Sequence, residues 1–254
     1  GDTNNHRVRK IANSAAGLWP AISSAGVTNG ASFQTGLTPG GIVTIFGANL
    51  GAAPGEILAA SGGTWPASLR GVTVTIDGTA VPVYRFLSLN GQEQLSIQSP
   101  FSLSGKTSAS VVVTTPAGSS QAVSVPVLEA QPGIFILDAN SDGAVHANGT
   151  IVTPDNPAAR GETVVLYLTG LGPVSNPPAP GQPASLTTLS HALAAPQVTI
   201  GGISAAPAFA GLTPSYIGLY QINVVIPAGV AAGTLDVTVQ SSGVTGNTAK
   251  LPVR

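Results

Sequence analysis

Gly71-Val72-Thr73-Val74-Thr75-Ile76-Asp77-Gly78 is the stretch that decides the fold. Val72, Val74 and Ile76 alternate with Thr73 and Thr75, and a period of two sends successive side chains to opposite faces of a strand. Asp77-Gly78 then ends the run. Both positions tolerate positive φ, as a two-residue hairpin turn requires. The same alternation recurs in Gln94-Leu95-Ser96-Ile97-Gln98, in Ala122-Val123-Ser124-Val125 and in Leu235-Asp236-Val237-Thr238-Val239-Gln240. It recurs again in the triplets Val164, Leu166, Leu168 and Ile222, Val224, Ile226. Each run predicts a strand with one face on a core and the other in water. No long segment with a period of 3.6 competes. Short strands separated by turn residues at intervals of about 8–12 predict sandwiches.

Working outward, the chain repeats itself. Gly71 to Gly78 matches Pro196-Gln197-Val198-Thr199-Ile200-Gly201-Gly202, and Gln94 to Pro100 matches Gln221-Ile222-Asn223-Val224-Val225-Ile226-Pro227. Ser124-Val125-Pro126-Val127 matches Lys250-Leu251-Pro252-Val253, and Ile45 to Gly51 echoes Leu166-Tyr167-Leu168-Thr169-Gly170-Leu171-Gly172. Four blocks in the same order predict two copies of one fold. The expected organisation is all-β: two tandem immunoglobulin-like β-sandwiches at 26–128 and 159–254, a linker at 129–158, and an extended segment at 1–25.

Composition excludes several classes of function. Only 7% of the 254 residues are charged, with 9 Lys plus Arg against 10 Asp plus Glu, where an ordinary domain has about 25%. Without a basic excess, nucleic acid is not an expected partner. With no Cys there is no thiol chemistry, disulfide or Cys-bound metal. Gly and Pro break every apolar run well short of a membrane helix, so no membrane insertion is expected. From Thr163 to Leu235 not one Asp, Glu, Lys or Arg occurs. Charge normally keeps proteins apart, so such a surface suits an extracellular or cell-surface setting, or a chain meant to associate.

Val27-Thr28-Asn29-Gly30-Ala31-Ser32-Phe33 and Pro39-Gly40-Gly41-Ile42-Val43-Thr44-Ile45-Phe46-Gly47-Ala48-Asn49-Leu50 resemble the opening of the Solibacter-type C-terminal region of secreted acidobacterial proteins. Asn156-Pro157-Ala158-Ala159-Arg160-Gly161, Thr169-Gly170-Leu171-Gly172-Pro173-Val174 and Gly218-Leu219-Tyr220-Gln221-Ile222-Asn223-Val224 are similar to its later signatures. The resemblance implies paired IPT/TIG-like immunoglobulin domains and export, in a family with no established enzymatic activity. It brings no catalytic residues. Residues 2–11 resemble the last part of an NHL repeat, a propeller blade of which only this remnant is present.

Three groups of residues are candidate sites. In Asp138-Ala139-Asn140-Ser141-Asp142-Gly143, Asp138, Asn140 and Asp142 place oxygen donors as in the first half of a calcium loop. Gly149 stands where an EF-hand has its Glu, and an Asx-rich turn is the competing reading. Trp65 and Tyr216 are candidate platforms for sugar rings, with Trp19, Tyr84 and Tyr220 as further aromatics of that kind; core packing is the alternative. Ser104-Gly105-Lys106-Thr107 has the end of a phosphate loop without its first glycine, and reads as a turn. His6, His146 and His191 lack metal spacing. No nucleophile elbow and no carboxylate pair is recognisable. No cofactor is expected apart from calcium at the loop just described.

The third group is His6, Arg7, Val8, Arg9, Lys10 and Ile11, an orphan strand holding three of the nine cations. Strand addition into an open sheet edge of a second copy would satisfy its backbone and propagate into a filament. The expected function is therefore a non-enzymatic structural or adhesive module outside the cell, with itself or another extracellular component as partner. The alternative is a carbohydrate- or protein-binding module of a larger secreted protein.

Overall fold

A computed structural model describes residues 19–136 and 143–254. The first sandwich comprises β1 (Ala21–Asn29), β2 (Ile42–Ala48), β3 (Ile57–Ala59), β4 (Thr73–Ile76), β5 (Thr79–Val81), β6 (Val83–Leu89), β7 (Gln92–Gln98), β8 (Ser108–Thr115), β9 (Gly118–Ser119) and β10 (Val123–Pro126). One sheet runs β1-β2-β7-β6-β3 and the other β10-β8-β4-β5, with β9 on β8. All these named pairings are antiparallel. The predicted alternation holds: Val74, Ile76, Leu95 and Ile97 are buried between the sheets with Val111 and Val113. Asp77 and Gly78 have φ of 49° and 77° and turn β4 into β5, as the sequence predicts.

The second sandwich repeats the plan. Its strands are β11 (Gly133–Ile134), β12 (Ala144–His146), β13 (Thr163–Thr169), β14 (Gln197–Ile200), β15 (Ile203–Ala205), β16 (Pro207–Leu212), β17 (Tyr220–Val225), β18 (Gly233–Ser241), β19 (Val244–Thr245) and β20 (Ala249–Val253). The sheets run β11-β13-β17-β16, with β12 also on β13, and β15-β14-β18-β19, with β20 on β18. Each repeated sequence block forms the equivalent strand in both halves, and both halves follow the immunoglobulin strand order. Gly201 and Gly202, at φ 55° and 80°, make the turn that Asp77-Gly78 makes in the first half. Each sandwich also ends in one parallel clasp. Leu37 N–H donates to Pro126 O at 2.9 Å and Leu128 N–H to Leu37 O at 2.9 Å; Ala158 N–H donates to Pro252 O at 3.0 Å and Arg254 N–H to Ala158 O at 2.9 Å. Proline lacks an N–H but keeps its carbonyl, so Pro126 and Pro252 fit strand ends that need only to accept.

Two expectations need correction. The stretch 129–158, read as a linker, contributes β11 and β12, which pair with the edge of β13. A free edge strand is a liability, and these short strands cover this one. The outer face of the first sheet is also not simply wet: Thr44, Ser96 and Gln98 are buried. The second sandwich lies beside them.

The junction between sandwiches is built from side chains that bond backbone groups. Thr169 Oγ1 accepts from Ile42 N–H at 2.8 Å and donates to Gly218 O at 3.0 Å. Asn29 Nδ2 donates to Gln131 O at 2.7 Å, and Gln98 Oε1 accepts from Gly181 N–H at 2.9 Å. Gly170 and Gly172 have φ of 80° and 88°; a Cβ at either would stand 2.2 Å from the carbonyl oxygen of Gln131 or Glu129. Only glycine meets both demands. Tyr220 is fully buried and its hydroxyl donates to Gly172 O at 2.6 Å, with Pro39 O at 3.3 Å. Burial pushes its phenol pKa up from the ordinary value. Phe101 of the first sandwich packs against the core of the second.

Candidate functional site

Residues of both sandwiches line a cavity of about 690 Å³, inside the range of about 300–1,000 Å³ typical of small-molecule sites. The first sandwich supplies its floor from the outer face of a sheet: Thr44 on β2, Ser96 on β7, and Tyr84 and Arg85 on β6. A register shift between Val83 and Arg85 places Tyr84 at a bulge in β6, and bulges re-aim side chains. The segment between β3 and β4 adds Thr64 and Trp65. Trp65 stacks on Tyr84, with ring centroids 4.4 Å apart and planes at 18°. Its backbone is tied across the junction, since Trp65 N–H donates to Gly181 O at 2.9 Å.

The second sandwich supplies Val145 on β12, Tyr167 on β13, Phe135 just after β11, and Tyr216 from the connection between β16 and β17. Ser215 adopts φ 68°, a left-handed step uncommon outside glycine. Its N–H donates to Ala184 O at 2.9 Å, and Ala184 N–H donates to Tyr216 O at 3.0 Å. The turn so fixed leaves Tyr216 56% exposed where it lines the cavity.

Trp65 and Tyr216, nominated separately from the sequence, thus line one cavity from opposite sandwiches. Tyr84 joins them. Trp19 does not; its ring lies against Gly118 in the first sandwich. Tyr220 does not either, because its ring is buried in the second core. Arg85 escaped the sequence reading. It is one of few cations in a strand-rich stretch, and that rarity was the available signal. Its guanidinium carbon stands 5.7 Å from the Tyr84 ring centroid.

Asp138, Asn140 and Asp142, the calcium candidates, lie outside the described residues, as do His6, Arg7, Val8, Arg9, Lys10 and Ile11. Among the described residues no cluster of three His, Cys, Asp or Glu stands together for a metal. The Gly105 amide, which a phosphate loop would offer to its ligand, faces Glu129 Oε2 at 3.4 Å. His146 is held by the Glu162 carboxylate and the Asn156 carbonyl, and His191 packs on Phe209 at 5.1 Å between centroids. Burial opposes ionisation of Glu162. Hydrogen bonds from Ala159 N–H and His146, with the attraction of His146 and Arg254, outweigh it and hold the carboxyl below its ordinary value. No helix among the described residues is long and apolar enough to cross a membrane.

No protein-family model matches the chain, and no curated protein does. Among solved structures the chain is similar to SGBP-B from a complex xyloglucan utilization locus in Bacteroides uniformis, with 13% identity, TM-score 0.28, and coverage of 92% of this chain and 48% of that one. It is also similar to the I9–I11 tandem from titin, with 11% identity, TM-score 0.23, and coverage of 92% and 65%. A third is domains 5–6 of the S-layer protein SbsC, with 13% identity, TM-score 0.25, and coverage of 89% and 95%. The chain thus spans about half the length of the first and 65% of the second. The strand order given above fixes the sandwich topology independently of these likenesses.

Proposed function

We propose that this chain is a non-enzymatic, extracellular binding module that holds carbohydrate in the groove between its two sandwiches. One observation carries the reading: Trp65 with Tyr84 from one sandwich, and Tyr216 from the other, line the same cavity. Aromatic faces offer large, rigid apolar area at low entropic cost. Hydroxyls at Thr44, Thr64 and Ser96 add polar contacts of the kind that orient a ligand. The extracellular setting is supported by the low charge and by the resemblance to secreted proteins. The test is a glycan array followed by titration calorimetry of hits. Trp65→Ala and Tyr216→Ala should each weaken binding by about tenfold, which is 1.4 kcal/mol. Binding indifferent to both substitutions, or no glycan bound at all, refutes it.

A second reading, self-association into filaments, is favoured by the charge-poor surface and by the open edge at β3, where Ile57 is 61% exposed. Here the segment His6 to Ile11 is the donor strand. Electron microscopy of the full chain should show polymers that vanish on deletion of residues 1–20. Polymers that survive the deletion, or none in either sample, reject this route.

A further inference from the structure

We infer that the groove takes an acidic saccharide, with Arg85 receiving the carboxylate of a hexuronate ring. This rests on the carbohydrate reading and adds the charge of the ligand. Arg85 lies opposite Ser96 on the outer face of the first sheet, and both line the cavity. It is the sole charged side chain among the lining residues described. The ion pairs among the described residues engage Arg70, Lys106, His146 and Lys250, and none engages Arg85. The Arg85 Nε is buried without an acceptor. A guanidinium donor withdrawn from water and left unpaired is costly, and no Asp or Glu of the described chain relieves it. A carboxylate is the best partner for a guanidinium without a counter-ion, because its two oxygens match the fork.

The surroundings select the rest of the ligand. Trp65 and Tyr84 stack face to face, which holds both rings rigid, and an outer aromatic face of such a pair suits the C–H face of a pyranose ring. Thr44 and Ser96 of the floor, Thr64, and Ser215 beside Tyr216 bring hydroxyls to the lining, and a sugar meets hydroxyls with hydroxyls. The apolar part of the lining lowers the local dielectric and so strengthens the charge–charge attraction. A uronate oligomer combines a stacking face, ring hydroxyls and a carboxylate in one unit. An acidic peptide shares only the carboxylate.

The experiment titrates the full chain with tri-galacturonate, a mannuronate–guluronate trimer, neutral galactotriose and tri-glutamate, by calorimetry and by tryptophan fluorescence. The expected result is that at least one uronate trimer binds tenfold or more tightly than galactotriose, and more weakly as salt rises. Arg85→Gln should erase that preference by weakening the uronate trimer at least tenfold more than galactotriose, and Arg85→Lys should retain part of it. Trp65→Ala should weaken all the sugars. Equal binding of neutral and acidic trimers, lost in Trp65→Ala, overturns the acidic inference and leaves the carbohydrate reading standing. Tri-glutamate binding without any sugar binding overturns both, as does silence from every probe. If Arg85→Gln does not fold, as read by circular dichroism, the wild-type ratio of acidic to neutral affinity decides the matter.

Discussion

Tyr220 shows how one side chain can serve two domains. Its ring fills the second core while its hydroxyl reaches two carbonyls, Gly172 O and Pro39 O, one on each side of the junction. Tyr220→Phe keeps the ring and strips both carbonyls of their donor. Leaving buried polar groups unsatisfied costs about 1–3 kcal/mol. The melting temperature should fall by about 2–4 °C per kcal/mol, as differential scanning calorimetry would read. Glu162 makes a different prediction. Its folded-state pKa lies below the ordinary 4.5, so its contribution is complete above that value and is lost as pH falls through the lower folded one. Urea midpoints measured from pH 6 downward should therefore drop in acid. Glu162→Gln should flatten part of that drop; an unchanged acid slope would remove Glu162 from the account.

At the scale of elements, glycines with the same backbone angle differ in what surrounds them. Gly78 and Gly170 have φ of 77° and 80°, yet nothing stands within 4 Å of a Cβ at Gly78, whereas Gln131 O stands 2.2 Å from one at Gly170. Gly78→Ala should cost about 1–2 kcal/mol, the price of a left-handed L-residue. Gly170→Ala should cost clearly more, since a backbone carbonyl must move as well. Equal urea midpoints for the two variants would contradict the crowding. The turn at Gly78 was legible in the sequence because hairpin chemistry is local. The strands β4, β7, β13, β17 and β18 were legible because alternation is local too. β6 was not, because the bulge at Tyr84 separates the buried Val83 and Phe86 by three and so breaks the period. β11 and β12 were not, because two and three residues carry no measurable period. Trp65 and Tyr216 were nominated as aromatics, but no sequence signal joined them, since the groove exists only when two distant loops meet. Ser96 and Gln98 read as solvent-facing because a neighbouring sandwich leaves no mark on a strand's own pattern.

At the scale of the whole molecule, the motifs that carry the family resemblance gather at the junction. Asn29, Ile42, Thr169, Gly170, Gly172, Gly218 and Tyr220 all take part in holding one sandwich against the other. Backbone-mediated contacts of this kind, with Phe101 shared between halves, couple the two cores. The full chain should therefore melt in one calorimetric transition, with the measured enthalpy equal to the van't Hoff value. Gly170→Ala, which strikes the junction and neither core, should split it into two. Two transitions already present in the wild type would show that the halves fold and fail independently.

The parallel clasps have a mechanical side. In each half the pairing joins an early segment of the sandwich to its final strand, Leu37 to Pro126 and Leu128, and Ala158 to Pro252 and Arg254. Tension drawn along the chain would load the two bonds of a clasp in shear, both at once, instead of peeling them singly. Resistance to such a pull is set by the unfolding barrier rather than by equilibrium stability. Each half is thus built so that a lengthwise pull would meet a pair of bonds sheared together.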